Sequence, residues 1–214
     1  MEENKKITIS QIIWLFVCGC LIGFVIETLW HFIKNGMLIN KQGLLYGPFK
    51  PIYGTGLVLI VILMQSFKNK KYWWKFITGV LIGSTFEYFC SIFQEVAFGT
   101  STWNYSNFNY NLGGRIYLPY CLAWGFIAVI CIDYFYPWFK TTFNKIPIKI
   151  EKVITILVGI FMIVNVTLTT LATMRYSERA NDIEASNMVL KFIDETYPDE
   201  YMQIKFPKLK IIGQ

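Results

Sequence analysis

GCLIGFVIE at residues 19–27 and GVLIGSTFE at residues 79–87 are two matching segments of this sequence. Each contains two glycines four residues apart and a glutamate four residues further on, inside a long apolar stretch. Residues at steps of four lie along one face of a helix, so each segment predicts a flat glycine surface that leads to a carboxylate. The two carboxylates belong to Glu27 and Glu87.

The similarity between the two segments continues downstream. Residues 46–54 (YGPFKPIYG) and 117–125 (YLPYCLAWG) both fit the pattern Tyr-x-Pro-aromatic-x-x-x-aromatic-Gly. The two copies differ in length only in the loop that follows the glutamate. We therefore predict two copies of one two-helix unit, at residues 11–67 and 74–138.

The composition places the chain in a lipid bilayer. Of its 214 residues, 54% are apolar and only 16% are charged, whereas about a quarter of the residues of soluble domains are charged. A net charge of +6 is compatible with a nucleic-acid partner, but the lysines lie in short loops beside apolar segments. That placement is typical of orientation in a membrane, so no nucleic acid is predicted as a partner.

Five apolar stretches are long enough to cross a hydrocarbon layer of about 30 Å at about 1.5 Å per residue. They lie near residues 11–33, 51–67, 74–98, 115–139 and 149–173. The second is the shortest, and the prolines at its start predict a broken or re-entrant entry. The predicted fold class is all-α, a polytopic membrane helical bundle with about five transmembrane helices, formed by two parallel two-helix repeats plus a fifth helix.

The chain divides into two parts. Residues 1–173 form the predicted transmembrane domain, and residues 174–214 form a polar tail with seven acidic and six basic residues. The spacing of apolar residues in the tail predicts a short amphipathic helix near residues 181–196, followed by an irregular end.

The basic residues indicate the orientation of the chain. Ten lysines, including Lys5 and Lys6, flank the side that holds the N-terminus, whereas the two loops on the opposite side hold four basic residues. This bias predicts a multi-pass protein of the cell membrane with a cytoplasmic N-terminus and an outside tail. The first and third spans then run in the same direction, so the two glutamates lie at equivalent depths and face one axis.

An ionised carboxylate in hydrocarbon costs several kcal/mol or more, so both glutamates need a cavity, a cation or a proton. The candidate partners are Arg115, His31 and Lys50. These charges form either a structural clamp between the repeats or a binding site for a substrate or ion, and the sequence leaves both open. No metal site is predicted, because the chain contains a single histidine.

The longer loop of the second unit alternates aromatic residues with amides and hydroxyls. Such a loop can form a lid over a central cavity and bind a sugar, a lipid headgroup or another amphipathic ligand. The alternative is an aromatic belt at the membrane surface. The candidate substrate-binding residues are Glu27, His31, Tyr46, Glu87, Trp103, Asn104, Tyr105, Asn111 and Arg115.

Common catalytic motifs are absent from the sequence. It contains no Gly-x-x-x-x-Gly-Lys-Ser/Thr loop, no Gly-x-Ser-x-Gly elbow and no His-Glu-x-x-His pair. The chain is therefore predicted to need no cofactor and not to hydrolyse ATP itself.

Several motifs together carry a family resemblance: NKQGLLYGPFKPIYG at 40–54, EY at 87–88, WNYS at 103–106, NLGGRI at 111–116 and WG at 124–125. They resemble the ABC-transporter type IV (CmpB-like) permease family of small bacterial membrane proteins, over roughly residues 11–138, with the fifth span and the tail outside. Asn104 stands where that family usually has aspartate and Lys50 where it has an uncharged residue, which makes the outer face more positive. The resemblance implies a permease-like protein that works with a separate ATPase.

Three functional hypotheses follow. In the first, two hairpins of a permease-like protein enclose an outward-facing polar site, and the protein works with an ATPase or an ion gradient, as a monomer or a homo-oligomer. In the second, a membrane-embedded enzyme acts on lipid headgroups, with a glutamate as general base and Arg115 binding a phosphate or carboxylate. In the third, the chain is an accessory or sensor subunit in which the charges only hold helices together.

Overall fold

The computed structural model describes residues 7–39 and 41–212, and nearly all of these belong to helices or the short connections between them. The helices are α1 (Ile9–Asn35), α2 (Pro51–Met64), α3 (Tyr72–Phe98), α4 (Leu118–Ile130), α5 (Tyr136–Phe143), α6 (Ile148–Ala180), α7 (Met188–Thr196) and α8 (Asp199–Lys205). Four two-residue strands are β1 (Thr100–Ser101), β2 (Asn111–Leu112), β3 (Ile116–Tyr117) and β4 (Lys210–Ile211). Lys5 and Lys6, used above for the orientation, and Asn40 lie outside the described residues.

Local signals set the ends of the first long helix. Before α1, the Thr8 hydroxyl accepts a hydrogen bond from the Gln11 backbone, and the Gln11 side chain accepts one from the Thr8 backbone. This reciprocal cap satisfies amide groups that the first helical turn leaves free. Helix α1 ends at Gly36, which has a φ of 68°, a left-handed conformation that glycine adopts without strain.

Four helical stretches among the described residues are long and apolar enough to cross a membrane: α1, α3, the continuous stretch Leu118–Phe143 and α6. Helix α2 and the 3₁₀ turn after it cover only Pro51–Phe67, about 25 Å at 1.5 Å per residue. Helix α2 still returns the chain to the starting end of α1, because Met64 at its end packs in one core cluster with Leu15. Five spans were predicted. The described residues form four helical stretches of full span length, and the second predicted span is the shorter helix α2.

The stretch Leu118–Phe143 contains a wide π-helical turn at Cys131–Phe135. Pro137 follows this turn and cannot donate a backbone hydrogen bond, and a wider turn is a usual way for a helix to accommodate a proline. Asp133 lies in the turn and forms an ion pair with Lys75 of α3, which is only 4% exposed. The ion pair joins α3 to the wide turn.

Helix α6 packs its polar residues against the loop between α1 and α2. The Asn165 side chain accepts a hydrogen bond from the Tyr46 backbone N–H (3.1 Å) and donates one to the Tyr46 carbonyl (2.6 Å). One turn later, the Thr169 hydroxyl accepts a hydrogen bond from the Leu45 N–H at 3.0 Å. These polar residues of α6 therefore satisfy the backbone of an irregular loop.

Residues 181–212 form a folded C-terminal segment. Helix α7 is shorter than the helix predicted at 181–196, and α8 lies in the part predicted to be irregular. Strand β4 pairs with β1, and Tyr197 and Met202 pack in one apolar cluster with Leu45. The C-terminal segment therefore contacts both segment 36–50 and segment 99–117. We refer to this end of the bundle as the capped end.

An ion-pair network attaches the C-terminal segment to α6, which continues past the predicted end of the span at residue 173 to Ala180. The Arg175 guanidinium is 1% exposed and binds both oxygens of Asp194, at 2.9 and 2.7 Å. Arg179 pairs with Asp194 and Asp199. Because two charged groups of α6 bind two of the C-terminal segment, α6 and that segment form one folded unit at the capped end.

Large apolar side chains cover the outside of the long helices. In water such surfaces would be unusual for a monomer, but they match the hydrocarbon of a bilayer. The residues exposed by half or more on α1, α3 and α6 include Val25, Leu29, Leu81, Phe89, Val153 and Ile163.

Candidate functional site

The glycines of α1 and α3 allow the following helix to pack closely. A Cβ atom on Gly19 would lie 2.8 Å from Gly54 Cα, and one on Gly23 would lie 2.5 Å from Tyr53 Cβ. Both distances are too short for carbon atoms, so only glycine permits this approach of α2 to α1. The glycine spacing thereby fixes the position of Tyr53 beside α1.

Helices α3 and α4 make the corresponding contacts. A Cβ atom on Gly79 would overlap the Ala128 side chain and lie 3.2 Å from Gly125 Cα, and one on Gly83 would overlap the Trp124 side chain, 2.6 Å from its Cδ2. In both hairpins the first glycine packs against a glycine of the next helix, Gly54 in α2 or Gly125 in α4. The second glycine packs against the aromatic residue directly before that glycine, Tyr53 or Trp124. Tyr53 and Trp124, which take matching places in the sequence pattern, therefore take matching places in the structure.

Glu87 lies beside Trp124 and is almost completely buried, with 7% of its surface exposed. One carboxylate oxygen accepts a hydrogen bond from the Trp124 indole N–H at 2.9 Å, and the other accepts one from the Tyr105 hydroxyl at 3.3 Å. In residues 7–39 and 41–212, no lysine or arginine forms an ion pair with Glu87. The carboxylate is thus removed from solvent and held by two neutral donors, without a positive charge to balance it.

Glu27 has a different environment, because it forms an ion pair with Lys50, the residue directly before α2. The Lys50 ammonium also lies 6.0 Å from the centre of the Tyr53 ring. Burial lowers the pKa of Lys50, and the charge of Glu27 opposes that change. The pair is therefore partly desolvated, and it joins the last turns of α1 to the start of α2.

Two stacked aromatic rings connect the surroundings of the two glutamates. The Tyr53 and Trp124 rings have centroids 6.3 Å apart and an interplanar angle of 29°. The Tyr53 hydroxyl interacts electrostatically with both Glu27 and Glu87. The two carboxylates therefore approach the same pair of rings from the two hairpins, and we call these four side chains the Glu–aromatic network.

Tyr105 extends the network from the loop between α3 and α4. Burial and then the charge of Glu87 raise the pKa of the Tyr105 hydroxyl well above its usual range, and Glu27 contributes in the same direction. The hydroxyl therefore stays protonated and donates to Glu87. Of the loop residues predicted to bind a ligand, Tyr105 is the one whose side chain binds Glu87 among the described residues.

The other candidate residues of this loop bind the loop itself. The Trp103 indole donates to the Arg115 carbonyl at 3.0 Å, and the Asn104 side chain accepts from the Ser106 N–H at 2.8 Å. The Asn111 amide donates to the Phe108 carbonyl at 2.7 Å. These bonds form local turns. Their structural effect is to fix the loop conformation that turns Tyr105 towards Glu87.

Three further candidates lie apart from the network. Arg115 binds the Ser91 hydroxyl at 3.1 Å and forms an ion pair with Glu95, both on α3. His31 is hydrogen-bonded to the Met37 carbonyl at 3.1 Å, and the Tyr46 hydroxyl to the Tyr197 hydroxyl at 2.8 Å. All three side chains have partners that hold neighbouring parts of the capped end together.

Two members of the network, Tyr53 and Trp124, were not among the predicted site residues. The sequence did contain a signal for them, since each is the aromatic residue before glycine in the repeated pattern. Lys50 was considered as a partner of the glutamates and does pair with Glu27. Within the described ranges, the structure contains no group of three or more His, Cys, Asp or Glu side chains that could hold a metal ion.

The long apolar helices, their apolar outer surfaces and the buried charges between them define a polytopic α-helical membrane protein. The chain belongs to the family described as Putative ABC-transporter type IV, whose model matches residues 14–170. The match begins in α1 and extends through most of α6. The fifth predicted span, which corresponds to α6, was expected to lie outside the family resemblance but lies mostly within it. No curated protein and no solved structure matches this chain.

Proposed function

We propose that this protein is the membrane-embedded subunit of a transporter, in which the hairpins α1–α2 and α3–α4 form an internal repeat. The corresponding contacts of Gly23 with Tyr53 and of Gly83 with Trp124 support the repeat, since both hairpins use the same residue positions for the same purpose. The Glu–aromatic network between the hairpins is then the polar site for the solute.

The observation that carries this proposal is the buried carboxylate of Glu87 without a positive partner. A charged side chain inside the membrane is costly, and such residues usually belong to substrate, ion or proton pathways. Glu27 has Lys50 to balance it, whereas the partners of Glu87 within residues 7–39 and 41–212 are two neutral donors. Glu87 is therefore the group that takes up a proton or a positively charged group of the solute.

The family description supports a separate ATPase as the partner. The distribution of lysines favours a cytoplasmic N-terminus and an outside position for the capped end, so this ATPase would bind the opposite end of the bundle. That end carries the connections 65–71 and 144–147, which contain Lys68, Lys70, Lys71 and Lys145. The Glu–aromatic network then faces outside, beneath the C-terminal segment.

The test is a binding screen with two matched variants. The purified protein in lipid nanodiscs is heated with sodium, potassium, magnesium and small organic ammonium ions, and the melting temperature is measured. Glu87→Gln removes the uncompensated charge, and the control Glu95→Gln removes a carboxylate two turns further along α3 that pairs with Arg115. We expect at least one cation to raise the melting temperature of the wild type and Glu95→Gln but not that of Glu87→Gln.

The size of the shift follows from mass action. A ligand present at about 100 times its dissociation constant stabilises the folded state by about 2.7 kcal/mol, which is readily measured. If the panel leaves the wild type unchanged, or stabilises Glu87→Gln equally, the network does not bind cations. If Glu87→Gln lowers the melting temperature without changing any ligand response, the carboxylate serves as a structural clamp, as in an accessory subunit.

A further inference from the structure

The first hairpin holds an ammonium group of its own beside its glutamate. Lys50 forms an ion pair with Glu27, and its ammonium lies 6.0 Å from the centre of the Tyr53 ring. The carboxylate balances the charge, and the face of an aromatic ring attracts a cation at about this distance. The Lys50 side chain is only 12% exposed, so these two groups replace most of the water around the ammonium. We call this combination of carboxylate, aromatic ring and ammonium the ammonium site of the first hairpin.

The second hairpin has the carboxylate and the ring but no lysine at the corresponding position. In the repeated pattern, YGPFKPIYG at 46–54 and YLPYCLAWG at 117–125, Lys50 corresponds to Cys121. Cys121 is 6% exposed, and a thiol is neutral at ordinary pH. Helix α4 also begins earlier in the pattern than α2, so Cys121 lies inside a helix whereas Lys50 precedes one. The second hairpin therefore resembles the ammonium site of the first with its lysine missing.

Tyr105 takes a place beside Glu87 that an ammonium group could occupy. Its hydroxyl donates to the carboxylate at 3.3 Å, which is longer than the usual 2.7–2.8 Å or so between two oxygens. The bond from Trp124 to the other carboxylate oxygen, at 2.9 Å, has an ordinary length. Tyr105 is thus the weaker of the two neutral donors. An ammonium group forms a stronger, charge-assisted bond to a carboxylate and can replace it.

A chain of ring contacts leads from the protein surface to Tyr105. The Tyr105 ring lies 5.4 Å from the Tyr120 ring and 6.4 Å from the Phe108 ring, measured between centroids. Tyr120 is 38% exposed and Phe108 is 46% exposed, whereas Glu87 is 7% exposed. Tyr105 therefore lies between the buried carboxylate and rings that are open to the surroundings. Movement of this one side chain would give a solute access to Glu87.

These surroundings suit an organic cation better than a metal ion. Mg²⁺ and Ca²⁺ need about six oxygen ligands. In the parts of the chain that the structure describes, no three His, Cys, Asp or Glu side chains lie together as a metal site. The neighbours that bind Glu87 are aromatic side chains, which offer ring faces instead. An alkylammonium ion can use both features, because the carboxylate balances its charge while its carbon atoms pack against rings.

We propose that the solute of this protein carries an alkylammonium group, and that this group binds Glu87 as Lys50 binds Glu27, replacing the Tyr105 hydroxyl. The inference rests on the proposed function, in which Glu87 receives a proton or a positively charged group of the solute. It adds the chemical class of that group, a primary amine in its protonated form.

The probe is n-butylammonium, which reproduces the lysine side chain beyond Cα. Its binding to the full-length protein in phosphatidylcholine nanodiscs is measured by equilibrium dialysis with radiolabelled ligand at constant ionic strength, and binding to empty discs is subtracted. We expect the wild type and the control Glu95→Gln to bind one molecule per chain. Glu87→Gln should bind at least about tenfold more weakly, because loss of the ion pair costs about 1.4 kcal/mol or more. Tyr105→Phe, which lacks the competing hydroxyl, should bind at least as tightly as the wild type.

A second variant tests the correspondence between the two hairpins. Lys50→Cys gives the first hairpin the residue that the second has, so Glu27 loses its ammonium and becomes free to bind the probe. We expect this variant to bind two molecules per chain. The matched control is Lys145→Cys, which makes the same substitution at an exposed position outside both hairpin sites and should bind one.

The outcomes separate this inference from the proposed function. If sodium, potassium or magnesium stabilises the wild type through Glu87 and n-butylammonium does not bind, the cation site remains and the alkylammonium solute is refuted. If no cation binds, both are refuted. Equal binding by the wild type and Glu87→Gln would place the probe elsewhere, and weaker binding by Tyr105→Phe would contradict the replacement of its hydroxyl. A single molecule bound to folded Lys50→Cys would refute the correspondence, and if that variant does not fold, the comparison of the wild type with Glu87→Gln still decides.

Discussion

Replacement of Gly83 by alanine tests the close packing on which the Glu–aromatic network depends. The new Cβ atom would overlap the first side-chain atoms of Trp124, with a distance of 2.6 Å to Cδ2. These atoms lie next to the α4 backbone and cannot move away as the end of a long flexible side chain can. Gly83→Ala therefore has to displace α4, the Trp124 ring or both.

The expected loss of stability combines three effects. Overpacking in a filled core costs about 1–3 kcal/mol. Displacement of the ring also breaks the hydrogen bond from Trp124 to Glu87, and a bond to a charged group contributes about 1.5–3 kcal/mol. Alanine in place of glycine returns at most about 1 kcal/mol through helix propensity. We therefore expect Gly83→Ala to lower the free energy of unfolding by about 1.5–6 kcal/mol.

The matched control is Gly159→Ala in α6. There the nearest atom to a new Cβ would be Ile13 Cδ1 at 3.6 Å, an ordinary van der Waals distance. This variant should be unchanged or more stable by up to about 1 kcal/mol. The assay is unfolding in mixed micelles by increasing SDS, followed by far-ultraviolet circular dichroism. Equal stability of Gly83→Ala and Gly159→Ala would refute the role assigned to the glycine surface.

Two further predictions concern the capped end. In Arg175→Met, Asp194 keeps its ion pair with Arg179 but loses its hydrogen bonds from Arg175, so the docking of residues 181–212 should weaken by about 1.5–3 kcal/mol and the segment should become sensitive to limited proteolysis. Loss of the half-exposed carboxylate in Asp199→Asn should cost less than about 1 kcal/mol, and equal cleavage of the two variants would contradict this. Burial lowers the pKa of Lys41 from 10.5 to about 8 on folding, so the unfolded chain binds more protons between these two pH values. The free energy of unfolding should therefore rise with pH from about 8 to 10.5 and, as far as Lys41 is concerned, stay level below pH 8. The slope is at most about 1.4 kcal/mol per pH unit, and an unchanged slope in Lys41→Met, measured by thermal unfolding across this range, would exclude Lys41 as its source.

Local patterns were sufficient for much of the fold. The excess of apolar residues and the length of the apolar stretches indicated a helical membrane protein, and four of the five predicted spans occur as full-length helices. Glycine spacing also indicated which face of α1 and of α3 meets its neighbour. These properties depend on helix periodicity and on burial of apolar surface, which residues close together in the chain determine.

The second predicted span shows how far a local pattern reaches. The prolines at its start predicted a broken entry, and in the structure the chain before Pro51 is irregular and Pro51 starts α2. Asn165 and Thr169 of α6 bind the backbone of that irregular loop. Because these partners lie more than 100 residues further along the chain, no pattern near Pro51 could indicate them.

The order of residues was enough to predict that Glu27 and Glu87 lie inside membrane helices, each at the end of a glycine surface and each followed by an aromatic-glycine pair. Which group balances each charge followed only from the packing of the helices and loops. Arg115, expected near both glutamates, binds Glu95, while Glu27 pairs with Lys50 and Glu87, in the part of the chain that the structure describes, is bound by neutral donors. The physical reason is that an ion pair depends on the rotation and offset of helices and on the path of loops between them, and these are set by packing over the whole bundle.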